Sequence, residues 1–411
     1  MFTQRLEPVS SSPPPRPTRG FPGRRPAWVG ALLAAALLFP HPSPAADAGD
    51  KAPLSIFILA GQSNMEGYGG INTLDELGAD PQFAGLLRQI KRPDGSFVAH
   101  TNVFLYYHRQ EQTIVAPVTV GQGAWPDRLG PELAFGLTVG AQLPGPVLLI
   151  KTAWGGKDLY CDFRPPGAGK PAYELPGSPR ETGASYRLMV QEIHQALDHL
   201  DANFPQFKGR ERRLAGFVWF QGWNDFCVDR QIRRQVYDEY AANFGHLVHD
   251  LRAEFNLPRL PVVVGELGVD GEARGNTEML AFRAAQAKIA SEPELQGTLG
   301  YVRTAPFWYA KLDELPRKLE QEERRVRGVV AARLKQERAG KPDAPDRKRM
   351  EELVNEAFDQ ARNQDEALLR VQREHDQVVS HWECHYYGSA RVYCAIGRAL
   401  AEAMLALQPR P

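Results

Sequence analysis

The chain has 411 residues, of which 43% are hydrophobic and 24% are charged. This is enough for one large globular domain, or for one domain with an appendage. Lysine plus arginine and aspartate plus glutamate both number 49. Because neither charge is in excess, the composition gives no indication of a nucleic acid or an anionic membrane surface as a partner.

The N-terminal segment has the features of a secretory signal. Two arginines precede an apolar run over 27–39, and Ala46 and Ala48 follow with the spacing of an A-x-A cleavage site. The run is short for a membrane span. We therefore expect 1–48 to be a signal peptide and disordered N-terminus, and the protein to be exported to the periplasm or secreted. An uncleaved membrane anchor is the alternative.

Four cysteines follow the predicted signal. An even number in an exported chain permits disulfides, and four cysteines allow three pairings. Buried thiols are the alternative. The residues are Cys161, Cys227, Cys384 and Cys394.

Apolar segments typical of buried strands alternate with segments of helical periodicity. The predicted strands are 54–60, 146–151, 214–220, 260–266 and 299–304. The predicted helices are 131–143, 184–200, 232–255, 277–291 and 389–407. This alternation predicts a parallel sheet covered by helices on both faces, with the functional site beyond the carboxyl ends of the strands.

One segment departs from this pattern. In 311–376, 32 of 66 residues are charged. Two apolar stripes with a proline-containing break between them predict a hairpin of two amphipathic helices, inserted before the last helix. The expected layout is thus one domain from 49–310 and 377–411 with a helical insertion at 311–376. The insertion is interpreted as a solvated appendage, with a lid or an arm for protein contacts as alternatives.

The first motif, Gly61-Gln-Ser63-Asn-Met-Glu-Gly67, follows the first predicted strand. Its two glycines allow the backbone to turn tightly and to approach a ligand. A serine just beyond a strand end is well placed to be a nucleophile. The alternative is that Ser63 caps a helix.

Two further motifs follow the second and third predicted strands. The first contains Trp154, Gly155 and Gly156, and the second runs from Trp219 to Asp225. Acyl transfer creates an oxyanion, which a glycine N–H or an amide side chain can stabilise. In both motifs the alternative is a turn held by structural hydrogen bonds.

The fourth motif, His381-Trp-Glu383-Cys-His385, lies just before the last helix. A serine nucleophile needs a base with a pKa near neutrality, and histidine supplies one. His381 and His385 also have the spacing of a helical metal-binding pair, with Cys384 beside them. A metal site is the alternative at this motif.

In this order, the four motifs resemble those of SGNH (GDSL-like) hydrolases, over about 54–407 without the charged insertion. The first is similar to the G-Q-S-N-M motif of carbohydrate esterase family 6 and of sialate O-acetylesterases. The resemblance implies a three-layer α/β/α sandwich with a parallel flavodoxin-like sheet. It also implies a serine esterase that removes O-acetyl groups from carbohydrates without a metal or cofactor. A lipase-like esterase and an inactive glycan-binding domain are the alternatives.

The resemblance also implies roles for individual residues. Ser63 would be the nucleophile and His385 the base. The backbone N–H groups of Ser63 and Gly156 would bind the oxyanion, together with Asn224 or Gln221. Trp223 stands where the related third motif W-x-Q-G-E-x-D has glutamate, which favours Asn224.

The triad acid does not follow the family pattern D-x-x-H, because Trp382 occupies its position. We expect Glu383 in this role, since side chains two apart on an extended segment point to the same side. Asp376 is the second choice, and a Ser–His dyad is the alternative.

The predicted substrate is an acetylated glycan or a small ester. Gln62 and Gly155 are expected to line its site. Trp154, Trp223 and Tyr68 flank the motifs and are expected to stack on sugar rings; the alternative is that they are core aromatics.

Overall fold

The computed structural model describes residues 52–173, 181–272, 276–339 and 346–409. The predicted signal segment 1–48 lies outside these ranges. Within them, no helix combines the length and the apolar character that a membrane span requires.

Nine strands form two sheets in the described part of the chain. The strands are β1 (Leu54–Gly61), β2 (Gly69–Gly70), β3 (Val103–Arg109), β4 (Gln112–Pro117), β5 (Arg128–Leu129), β6 (Val147–Ala153), β7 (Arg212–Phe220), β8 (Val262–Gly265) and β9 (Leu299–Val302). Seven strands make the central sheet in the order β4-β3-β6-β1-β7-β8-β9. All neighbours in it are parallel except β3 and β4. The short strands β2 and β5 form an antiparallel ribbon.

All five predicted strands lie in the central sheet. Counted among themselves, their order is second-first-third-fourth-fifth, which is the order of flavodoxin-like sheets. The β3–β4 hairpin extends the sheet beyond β6 and was not predicted. The sheet is therefore mostly parallel, with one antiparallel edge strand.

Helices lie between and after the strands. They are α1 (Ser63–Glu66), α2 (Ala84–Ile90), α3 (Pro131–Gln142), α4 (Ala184–Asp198), α5 (Leu200–Asn203), α6 (Trp223–Phe226), α7 (Arg233–Glu254), α8 (Thr277–Ala287), α9 (Lys311–Arg338), α10 (Arg347–Arg362), α11 (Glu366–Asp376) and α12 (Ala390–Ala406). The five helices predicted outside the charged segment are all present within a few residues of their expected bounds.

Strand β7 shows how helices cover both faces of the sheet. Successive side chains of a strand point to opposite faces. Trp219 packs against Phe244 of α7, with ring centroids 5.8 Å apart. Gly216 faces α12 on the other side, where an added Cβ would lie 2.4 Å from the sulfur of Met404. Helices therefore enclose an apolar core above and below the sheet.

The described residues of the charged segment form three helices, α9 to α11, whereas two were predicted. The second predicted helix ends at Arg362, and a new one begins where Asp365 caps it by accepting from the Leu368 N–H. The segment has two small apolar clusters of its own: Val326, Phe358 and Leu368, and Val330, Leu334 and Val354. Leu312 and Leu315 instead belong to the main core, so α9 begins within that core.

All four cysteines are thiols. Cys161 and Cys394 are buried, Cys384 is half-buried and Cys227 is exposed.

Candidate active site

Ser63 lies at the point where β1 passes into α1. Strand β1 ends at Gly61, where an added Cβ would lie 2.2 Å from the carbonyl oxygen of Phe220 on β7. Only glycine permits this approach. Ser63 is the first residue of α1, and the Gln62 side chain does not cap the helix. Because the first N–H groups of a helix have no partner within it, the Ser63 N–H is available as a donor.

His385 lies against Ser63. Its Nε2 atom is 3.0 Å from the Ser63 Oγ. The histidine lies in a short 3₁₀ segment, Glu383–Gly388, in which Tyr386 and Tyr387 have positive φ angles. The fully buried Tyr386 hydroxyl accepts from the Gly268 N–H and contacts the Thr304 hydroxyl. Tyr386 thereby anchors the histidine segment to the loops that follow β8 and β9.

Asn64 joins the serine turn to the histidine segment. Its Nδ2 donates to the Cys384 carbonyl at 3.1 Å, and its Oδ1 accepts from the Tyr393 hydroxyl of α12 at 2.8 Å. Sequence reasoning did not assign Asn64 a role, although it lies inside the first motif. Its position beside the nucleophile was the available signal.

The far nitrogen of His385 faces another histidine. The Nδ1 atoms of His385 and His381 are 2.8 Å apart, so an imidazole occupies the position expected for an acid. The prediction of Glu383 in that role disagrees with this geometry, because the segment is a 3₁₀ turn and not extended. Asp376 is also in another place: it accepts from Gln372 and contacts His375.

Tyr68 covers the face of His385. The two rings are stacked with centroids 4.0 Å apart and planes at 8°. Tyr68 thus packs on the His385 ring, where the sequence left open a sugar-stacking role or a core aromatic. Burial, followed by His381 and Arg128, lowers the pKa of His385 from 6.5 to about 3. His385 is therefore neutral at pH 7 and can accept a proton.

Gln62 is fully buried and binds the loop after β7. Its Oε1 accepts from the Gln221 side chain and from the Gly222 and Asn224 N–H groups, each at 3.1 Å. The protein itself therefore binds the Gln62 carbonyl oxygen, and the predicted contact with a substrate stays a prediction. Gln62 fixes the end of β7 relative to the serine turn.

Gln221 and Asn224 were the alternative oxyanion donors. The Gln221 Nε2 lies within 3.1 Å of three acceptors, on Gln62, Lys157 and Asp225. An amide has only two N–H groups, and acceptors of the protein surround both of those of Gln221, which favours Asn224 over Gln221 as the oxyanion donor. The half-buried Asn224 side chain makes no hydrogen bond to any residue in the described ranges, which leaves its amide available.

The two glycines after β6 differ in their surroundings. An added Cβ on Gly155 would lie 3.7 Å from the Ser63 Cβ and 3.0 Å from Glu66 Oε2. The Gly155 amide also lowers the pKa of Glu66, so this amide faces a carboxyl group. Gly156 is exposed, with a φ of +75° and open space at its Cβ position. The space around Gly156 is therefore open.

Glu66 is a carboxyl group beside the serine that sequence reasoning did not assign. Burial raises its pKa to about 7, against the lowering effects of Lys151, Gly155 and Tyr107. Lys151 is fully buried below it and donates to the Glu66 carbonyl oxygen. Glu66 therefore titrates near neutral pH next to the proposed nucleophile.

Aromatic side chains surround the site at different depths. Trp154 and Trp223 are half-buried and pack on Phe163 and Phe226, with centroids 5.8 and 5.3 Å apart. More exposed are Trp125, which is 47% exposed and contacts the Tyr68 hydroxyl, and Trp382, which is 71% exposed beside His381. Neither of these two was assigned from the sequence.

No group of three or more histidine, cysteine, aspartate or glutamate side chains in the described ranges has a metal-binding arrangement. His381 and His385 direct their Nδ1 atoms at each other rather than at a shared point.

The fold and the site define a class: a mixed α/β protein of the hydrolase-like type, with a serine–histidine pair beyond the carboxyl end of its sheet. Residues 53–297 match the family of carbohydrate esterases described as sialic acid-specific acetylesterases. This match covers more than half of the chain. The chain therefore belongs to this family and is an esterase whose substrates are acetylated carbohydrates.

Several solved structures are similar to part of the chain. A protein from Arabidopsis thaliana has 18% identity and a TM-score of 0.37, covering 61% of this chain and 86% of its own. A carbohydrate acetylesterase from Xanthomonas citri has 15% identity and a TM-score of 0.36, covering 60% and 49%. NanS has 15% identity and a TM-score of 0.37, covering 62% and 78%. The comparison with curated proteins found no match.

Proposed function

We propose that the protein is an SGNH-type serine esterase that removes O-acetyl groups from carbohydrates through an acyl-serine intermediate. The observation that carries the proposal is the 3.0 Å contact between His385 Nε2 and Ser63 Oγ. A nucleophile within hydrogen-bond reach of a neutral base is what this chemistry requires. The same contact supports turnover over the alternative of an inactive glycan-binding domain.

The reaction begins when Ser63 Oγ attacks the ester carbonyl carbon and passes its proton to His385 Nε2. The Ser63 and Gly156 N–H groups and the Asn224 side chain stabilise the oxyanion. The carbon–oxygen bond to the sugar then breaks, and the imidazolium protonates the leaving hydroxyl. Water, activated by the same base, attacks the acetyl-serine and releases acetate and Ser63.

The substrate class rests on the family and on the rim of the site. Trp125 and Trp382 are both exposed. Trp125 contacts Tyr68, and Trp382 contacts His381, and these two residues lie against His385. Aromatic faces of this kind suit the apolar faces of sugar rings. An acetylxylan-type or sialate-type glycan therefore fits better than a lipid ester.

Export belongs to the same proposal. Its support is the apolar run over 27–39 and the A-x-A spacing that follows. Expression with and without 1–48, followed by fractionation, tests it: the full chain should leave the cytoplasm and the shortened chain should not.

The proposed nucleophile is tested by Ser63→Ala. Triad members contribute at least about a thousandfold to turnover, so the variant should lose that much on p-nitrophenyl acetate. Ser96→Ala, at an exposed serine, is the control and should behave as wild type. A fluorophosphonate probe should label Ser63 alone. Full activity of Ser63→Ala, or labelling of another serine, contradicts the mechanism.

A further inference from the structure

We propose that His381 positions the base, accepting a hydrogen bond from His385 Nδ1–H at its own Nδ1 in the place where triads have a carboxylate. This inference rests on the proposed function, because it assigns His381 a role that acts through His385.

The geometry, together with the proposed role of His385 as the base, determines the tautomers of both imidazoles. To accept the Ser63 proton, His385 Nε2 must carry a lone pair, so its hydrogen lies on Nδ1. The atom that faces this hydrogen is His381 Nδ1, 2.8 Å away. Two nitrogens at this distance share one hydrogen, so His381 must be protonated on Nε2. The opposite arrangement would protonate His385 Nε2 and remove the base.

The surrounding structure holds both rings in this arrangement. Tyr68 stacks on His385 and packs against the edge of His381 at 4.7 Å. The backbone N–H of His381 donates to the Tyr387 carbonyl at 3.1 Å. Arg128 donates to the Ser380 hydroxyl at 2.7 Å, next to His381 in the chain. The histidine pair is therefore preorganised before a substrate binds.

A neutral acceptor differs from a carboxylate in how far it stabilises the positive charge of the His385 imidazolium. Burial lowers the pKa of His381 as well as that of His385. An uncharged His381 orients its neighbour but adds no negative charge to stabilise an imidazolium. The other ionisable groups around the pair are Glu66, Tyr68, Asp127, Arg128, Glu383 and Cys384. The acid limb of activity should therefore lie well below the pH expected from an ordinary imidazole.

Three substitutions at one position test this role. Asparagine and aspartate place an oxygen at the δ position, where His381 has its accepting nitrogen, and alanine places nothing there. His381→Ala should lower kcat by about 10²- to 10⁴-fold, on the scale of a misdirected tautomer, with little change in KM. His381→Asn should stay within about tenfold of wild type. His381→Asp should also remain active and should move the acid limb to higher pH, because a carboxylate favours the imidazolium.

Controls separate this role from a structural one. His375→Ala removes an imidazole on α11 that contacts Asp376, and it should behave as wild type. Glu383→Gln should lose far less activity than His381→Ala. In wild-type protein, ¹⁵N imidazole spectra at pH 7 should show His385 protonated on Nδ1 and His381 on Nε2, a readout that does not depend on any variant folding.

The inference is overturned by His381→Ala within about threefold of wild type, by an unmoved acid limb in His381→Asp, or by the opposite tautomers. Loss of activity in Ser63→Ala together with full activity in His381→Ala would remove this inference alone. Activity in Ser63→Ala would remove the proposed mechanism itself.

Discussion

Two lysine–glutamate pairs of almost the same length lie in different parts of the molecule. Lys151 and Glu132 are 2.9 Å apart beneath the serine turn, and both side chains are 0% exposed. Lys318 and Glu374 are 2.8 Å apart between α9 and α11, with side chains 50% and 45% exposed. Removing one partner of a buried pair leaves an uncompensated charge, whereas water replaces a lost surface partner.

The buried pair also supports the site. Lys151 Nζ donates to the Glu66 carbonyl at 2.6 Å and to the Gln122 carbonyl at 3.2 Å. Glu132 accepts from the Gly130 N–H through its other oxygen. One lysine thus satisfies acceptors on α1, α3 and the loop before β5. No such hydrogen bonds connect the exposed pair to the site in the described residues. The buried pair therefore has a structural role, whereas the exposed pair is solvated.

The largest effect on stability is expected from Lys151→Met. The substitution keeps the chain length but leaves Glu132 and two carbonyl groups without their donor, which should lower the free energy of unfolding by about 3–5 kcal/mol. Urea unfolding at pH 7 measures the loss. The double variant Lys151→Met/Glu132→Gln should recover part of it, because no charge is then left unpaired. A loss below about 1 kcal/mol would mean that the buried pair resembles the exposed one.

An intermediate effect, on activity, is expected from Glu66→Gln. Glu66 has a pKa raised by burial to about 7, so it is neutral below that pH and negative above it. A negative charge beside Ser63 opposes the oxyanion, and kcat/KM should fall by roughly two- to tenfold as pH rises through 7. The glutamine variant should show no such fall, since His385 titrates far below this range. Parallel pH profiles for both proteins would show that Glu66 does not face the reacting atoms.

The smallest effect is expected from Lys318→Met, the matched change in the exposed pair. Removing one partner of an exposed ion pair changes the free energy of unfolding little, because solvent screens the interaction. Neither the urea midpoint nor the rate on p-nitrophenyl acetate should change measurably. A clear loss of activity would instead connect the helices of 311–376 to the site.

Five strands of the central sheet could be predicted from the sequence, whereas the β3–β4 hairpin was missed although 103–107 is a buried apolar run. Strands β1 and β6 are wholly buried, and β7 is buried from Ala215 to Phe220, so their sequences carry a strong signal. The β3–β4 hairpin was missed because Gln110 has a positive φ of 53° in its two-residue turn. Such turns usually contain glycine or asparagine, and this turn contains neither.

The site could be predicted in part for a related reason. Ser63 and His385 follow from motifs that lie next to strand and helix ends. Glu383 was placed by assuming an extended segment, but two consecutive tyrosines with positive φ bend that segment. In this bent segment the His385 ring faces His381, a contact that no spacing in the sequence indicates.

The contact between Ser63 and His385 joins positions 322 residues apart. Contacts of such long range form only after much of the chain has collapsed around them, and they slow folding. During synthesis the proposed nucleophile emerges 322 residues before the proposed base. If the proposed mechanism holds, a chain that lacks the His385 segment carries Ser63 in an inert form, and reactivity toward a fluorophosphonate would report that the native topology has formed.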